Sequence, residues 1–150
     1  MLLRTAALSL IFVAGVAHAG GWGDGSFENA DALAFGAECT SAKSIKPVTA
    51  ALNVAIQSPV IEEGDGAAAV VAAEIVAAAL GHPGLKFPTQ LRDWMNRQPT
   101  AQLIALAPNA RAALARVADP AISELAQFWA KGKPNKWQDS ISELQARLNP

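Results

Sequence analysis

The stretch "GAAAVVAAEIVAAALG", residues 66–81, decides the fold. Residues 67–80 carry a single polar side chain, Glu74. Alanine is the strongest helix former, so the run reads as a helix. A helix that is apolar on every side must be surrounded by other elements. Its small side chains allow neighbours to approach closely. Gly81 marks its end, with Pro83 as a stop, and Asp65 is expected to cap its start. At 14 residues it is shorter than the roughly 20 needed to cross a bilayer. This segment is therefore read as the central helix of an all-α domain.

Helical patterns flank it on both sides. Asn29 is expected to cap a short helix over residues 30–39, with Leu33, Ala34 and Ala37 on one face. Residues 44–58 form a second helix, capped by Ser44, with Pro47 in its first turn and a stripe of Ile45, Val48, Leu52 and Ile56. Pro59 ends it. After the central helix, Leu91, Trp94 and Met95 mark a short amphipathic helix. A longer pattern capped by Thr100 runs through Leu103, Leu106, Ala107, Ala110, Leu114 and Val117, and Pro108 should kink or split it. Asp119-Pro120 is expected to cap the next helix, which carries Ile122, Leu125, Phe128 and Trp129. Trp137, Ile141, Leu144 and Leu148 lie on one stripe of the last. No segment alternates as a strand would. The expected architecture is one compact domain of six to seven short helices around the alanine-rich helix, after a glycine/tryptophan N-terminal turn.

The N terminus reads as a secretory signal peptide, residues 1–19. Arg4 gives a positive start, residues 6–17 are mainly apolar, and Ala17-His18-Ala19 supplies small residues for cleavage before Gly20. Cleavage leaves a domain of residues 20–150, exported to the periplasm or the medium, with no membrane span. The whole chain has 12 basic and 13 acidic side chains, a net charge of −1. No basic surface is implied, which disfavours nucleic-acid binding. The lone cysteine, Cys39, cannot form an internal disulfide. It is expected to be buried in a helix rather than held for an intermolecular bridge.

Few residues are available for chemistry. After cleavage one histidine remains, His82, so a His/Cys zinc site is excluded. Between Gly81 and Pro83, His82 lacks a nucleophile-elbow context and suits a C-terminal cap on the alanine helix. The glycines of "GGWGDG" follow no strand and form no dinucleotide-binding loop. Glu62, Glu63 and Asp65 lack the alternation of a calcium loop and read as a solvated loop. Lys131, Lys133 and Lys136 likewise read as a solvated basic loop. No metal and no cofactor is expected. Glu74 requires an explanation, because a carboxylate in an apolar helix is costly unless paired. Its expected role is a buried polar anchor. Trp22 Nε1, a glycine-turn N–H, an arginine or the new α-amino group are the candidate partners.

With these features assembled, the chain resembles the bacterial family known as domain of unknown function 4259. Gly20 to Asn29 carry its opening motif, G-x-W-G-x-G-x-F-(E/D)-N, and residues 71–84, "VAAEIVAAALGHPG", carry its alanine-rich helix ending in G-x-P. Ser123, Glu124 and Leu125, with Trp129, carry an S-E-L-x-x-x-W element. The resemblance points to Trp22, Phe27, Asn29 and Glu74 as binding residues. Ala30 and Ala34 stand where relatives often have acidic residues, which weakens any acidic metal cluster. The resemblance implies no reaction.

Three functional readings follow. The first is an exported, non-enzymatic domain that binds a protein partner, in one version an immunity-type inhibitor of an envelope toxin. The second is a small-molecule binder or hydrolase using Glu74, which requires a pocket reaching that residue. The third is a structural envelope protein. The expected state is a monomer or weak homodimer, with Trp22 and Phe27 buried against the helices and Glu74 helping to hold them.

Overall fold

The computed structural model describes residues 23–132 and 134–150. The expected signal peptide and its cleavage point, together with Trp22 and Lys133, lie outside the described residues. Eight helices run through the described residues: α1 (Ala30–Ser41), α2 (Lys46–Gln57), α3 (Glu63–Ala79), α4 (Thr89–Met95), α5 (Thr100–Ile104), α6 (Ala107–Val117), α7 (Glu124–Ala130) and α8 (Lys136–Arg147). The count exceeds the expected six to seven because Pro108 divides one long pattern into α5 and α6. A proline near the start of a helix costs little, because its missing N–H would have had no partner there.

Helix α3 is the axis of the domain and touches each of the other seven helices. Every residue from Ala69 to Ala78 is buried. Its side chains are small enough for close packing. At Gly66 an added Cβ would come within 3.3 Å of Leu125, so glycine lets α7 approach. Gly81, with φ of 90°, ends the helix in the left-handed region. The His82 N–H reaches Ala77 O at 2.9 Å and the Gly81 N–H reaches Ala78 O at 3.0 Å. These two bonds satisfy carbonyls that the helix end leaves open.

Several expected caps are displaced. Helix α3 begins at Glu63, so Asp65 lies within its first turn, and the Glu63 N–H is met instead by the Glu124 carboxylate at 3.2 Å. Ile45 holds the cap position of α2, and Ser44, one residue earlier, still accepts from the Lys46 N–H through Oγ at 3.4 Å. Pro99 precedes α5, and Thr100 is its first residue. Asp119 accepts from the Ala121 N–H at 2.8 Å and closes a turn, leaving Ser123 to cap α7. Asn29 caps α1 as expected, accepting from the Ala32 N–H at 2.8 Å.

The face of α1 differs from the expected one. Ala32, Phe35, Gly36 and Cys39 are buried, whereas Leu33, Ala34 and Ala37 face outward. Phe35 carries the largest apolar surface, and burying it sets the rotation. Val48 and Leu52 of α2, the inner residues of α6, Trp137, Ile141 and Leu144 of α8, and Leu148 at its C-terminal cap complete the core. The stretch before α3 is tied down through Ile61, whose N–H reaches Ile122 O at 2.7 Å while its carbonyl accepts from Glu124 N–H at 3.0 Å. Arg116 donates to the carbonyls of Ala55 and Ser58 and closes the end of α2.

Candidate functional site

Residues 23–29 form a closed turn organised by Glu28. The Gly23 N–H donates to Glu28 O at 3.0 Å, and the Glu28 N–H donates to Gly25 O at 3.2 Å. The Glu28 carboxylate then folds back to accept from the Gly25 N–H at 3.0 Å and from Lys86 Nζ at 2.6 Å. Close approach explains the glycines here. A Cβ at Gly23 would lie 2.6 Å from Glu28 Cβ. The hydrogen bond from Lys86, with the Gly25 N–H beside it, holds the Glu28 carboxyl below its ordinary value.

The turn presents two side chains to the helical body. Phe27 packs edge-to-face on Phe87, with ring centroids 5.8 Å apart. It packs against the core as expected, half-buried at its margin. Ser26 donates its hydroxyl to Glu74 Oε1 at 2.6 Å. The link from α3 to the turn thus runs through Ser26.

Glu74 is 4% exposed, and an arginine completes its environment. Arg147, in the last turn of α8, donates from Nη1 to Oε2 and from Nη2 to Oε1, each at 2.9 Å. This is the two-pronged geometry that matches a guanidinium to a carboxylate. Arg147 also donates from Nε to Glu143 Oε1 at 2.7 Å, from Nη2 to Glu143 Oε2 at 3.1 Å, and from Nη1 to His82 O at 3.2 Å. All five guanidinium N–H groups are engaged. Burial opposes the charge on Arg147, but hydrogen bonds to Glu74 and Glu143 outweigh it and hold the group above its ordinary value. Glu74, with both oxygens bonded, is placed as an anchor between α3, α8 and the turn. Arg147 and Ser26 occupy three of its about four lone-pair positions, which suits an anchor better than a general base.

His82 caps the end of α3 as expected, through its backbone rather than its ring. Its backbone N–H closes α3, while ring Nδ1 lies 2.9 Å from Arg147 O. Gly84 lies over the buried ion pair, where a Cβ would be 3.1 Å from Glu74 Oε2.

A cavity of about 290 Å³ opens between the turn, residues 84–87 and α8, and it reaches Glu74 and Arg147. Phe27 and Phe87 supply apolar wall, and Ser140 and Glu143 the α8 side. Phe27 also borders a smaller groove of about 120 Å³ between α1 and α4, beside Leu33 and Leu91. Of the residues singled out in the sequence, Phe27 and Glu74 share the large cavity. Asn29 does not line it, and its side chain is engaged in capping α1.

An arginine was among the partners expected for Glu74, without Arg147 being singled out; Ser26, Glu28, Lys86 and Glu143 were missed. Glu143 and Arg147 stand four residues apart on α8, a spacing that reads as an ordinary surface pair. No group of three or more His, Cys, Asp or Glu able to hold a metal is present among the described residues. No described helix is long and apolar enough to cross a membrane.

No curated protein and no solved structure matches the chain. The opening glycine motif, the alanine-rich helix and the segments after it fall together within one match, to the family described as Domain of unknown function (DUF4259), over residues 20–140, and the chain belongs to that family.

Proposed function

We propose that the chain is exported through its N-terminal signal peptide and acts, as residues 20–150, as a protein-binding domain without catalysis, one form of which is an inhibitor of an envelope toxin. The supporting observation is Leu85. This side chain is fully exposed, on a loop fixed immediately beyond it by buried Phe87 and by the Phe87 N–H bond to Gly84 O at 3.1 Å. Leu85 stands at the rim of a cavity whose wall also carries Phe27 and Phe87, and this apolar rim as a whole, rather than the leucine alone, suits a contact that a partner covers. Affinity capture with the mature chain, followed by mass spectrometry, tests the reading. Wild type is expected to retain a partner that the uncharged variant Leu85→Ser loses. Capture of no partner, or equal capture by the variant, counts against it. Sequencing of the secreted form from its N terminus, with Gly20 expected first, tests export.

A second reading, a small-molecule binder or hydrolase at Glu74, is favoured by the cavity reaching that residue. Against hydrolysis stands the engagement of both Glu74 oxygens by Arg147 and Ser26.

A further inference from the structure

We propose that the cavity between the N-terminal turn, residues 84–87 and α8 seats a basic side chain, lysine or arginine, of the protein partner; this rests on the protein-binding reading above. Four carboxylates, of Asp24, Glu28, Glu74 and Glu143, line the cavity against two cations, Lys86 and Arg147. Its wall therefore carries an excess of two negative charges.

The hydrogen-bond inventory points the same way. Arg147 has every N–H engaged, Ser26 donates to Glu74, and Ser140 donates to Lys136 O at 3.2 Å. Lys86 alone among the lining side chains keeps unengaged donors, and it is 78% exposed and already bonded to Glu28. Among the lining side chains an incoming anion finds only Lys86 to bind. Acceptors, by contrast, are in surplus, because carboxylate oxygens hold more lone pairs than these bonds use. Asp24 accepts no hydrogen bond among the described residues, and its carboxylate lies within electrostatic reach of Lys86. The complementary group is a positively charged donor.

The remaining wall fits the stem of such a side chain. Phe27 and Phe87 offer apolar surface along which a chain of methylenes packs, with the charged head toward the carboxylates. At about 290 Å³ the cavity lies at the small end of ligand pockets and suits one side chain rather than a folded element.

Amide NMR of the mature chain tests this without the natural partner. The probes are acetyl-Gly-Lys-Gly-amide, its norleucine and glutamate counterparts, and cadaverine. One seated side chain gives a dissociation constant of about 1 mM. The lysine peptide is expected to shift Ser26, Gly84 and Ser140 saturably, the norleucine and glutamate peptides not. Asp24→Asn, which leaves the Arg147 bonds intact, should weaken the lysine peptide about threefold. Equal binding of the norleucine peptide, preference for the glutamate peptide, or no saturable shift at these residues overturns the charge argument. Tighter binding of cadaverine than of the peptide overturns the assignment to a protein side chain. A partner captured through Leu85 alongside a failed titration refutes this inference alone. A successful titration with no captured partner refutes the protein-binding reading instead.

Discussion

Arg147 and Glu74 meet through two parallel hydrogen bonds of 2.9 Å, although 73 residues separate them in the chain. The pair joins the last turn of α8 to the middle of α3. Removing the arginine leaves a buried carboxylate without a counter-charge. Arg147→Ala is expected to lower stability by about 3 kcal/mol in urea denaturation. Arg147→Lys should recover only part, since an ammonium cannot make the paired bonds. Replacing both residues by methionine should restore most of the loss. A cost below about 1 kcal/mol for Arg147→Ala would refute the anchoring role.

The glycines of the N-terminal turn are expected to differ in tolerance. At Gly23 a new Cβ meets Glu28 Cβ at 2.6 Å, an atom fixed to the backbone. At Gly25 it meets the carboxyl end of the same side chain at 3.0 Å, which can swing. Gly23→Ala should cost about 2 kcal/mol, as overpacking does, and Gly25→Ala less. Thermal unfolding of the two variants decides the order, and a larger loss for Gly25→Ala would contradict the geometry.

Glu28 supplies a pH dependence. Its carboxyl is held below the ordinary value, first by the hydrogen bond from Lys86 and then by the Gly25 N–H. A depressed folded-state pKa contributes stability above the unfolded value of about 4.5, lost as pH falls through the folded value. The turn should therefore stay closed through mild acid and open at lower pH. Carboxyl NMR titration should show the Glu28 midpoint below that of an unfolded glutamate. Lys86→Ala should move the midpoint upward, and an unmoved midpoint would show that the lysine has no part in it.

Cys39 is fully buried in α1, and burial, with Glu38 adding to it, pushes its thiol up to about 12. Thiolate, the reactive form, is then scarce at neutral pH. Thiol reagents should label the folded protein at least about a hundredfold more slowly than the protein in denaturant. Comparable rates in the two states would place Cys39 at the surface.

The fold was legible wherever one strong signal acted alone. The alanine run fixes α3, the alternating four- and three-residue steps from Trp137 to Leu148 fix the buried stripe of α8, and Pro108 divides α5 from α6. The face of α1 was hidden because alanines and glycine surround it nearly evenly. Leu33 drew the reading to the wrong side, yet it is 59% exposed while Phe35 is buried. Caps supplied from afar were likewise invisible, since nothing beside Glu63 announces that Glu124 will meet its N–H. At the candidate site, Glu74 announced itself by being polar among alanines. Its partner did not, because Arg147 beside Glu143 looks like solvent-exposed charge until α8 is docked. The glycines of the turn were legible as a motif, but their cause, the returning side chain of Glu28, is a contact of tertiary shape.

The long interval between Glu74 and Arg147 also sets an order of events during synthesis. Whether it emerges from the ribosome or crosses an export channel, the chain presents α3 before α8, and in that interval the carboxylate lacks Arg147. Burying it unpaired is costly enough to keep α3 from taking its place at the centre. A chain halted at residue 135 should show helical dichroism yet little hydrogen-exchange protection in α3, and Glu74→Met should restore protection to that same fragment. If the halted chain already protects α3, no such delay exists. With it, the nascent domain stays open and pliable until α8 has been made, so one charge in an apolar helix acts as a timer on assembly.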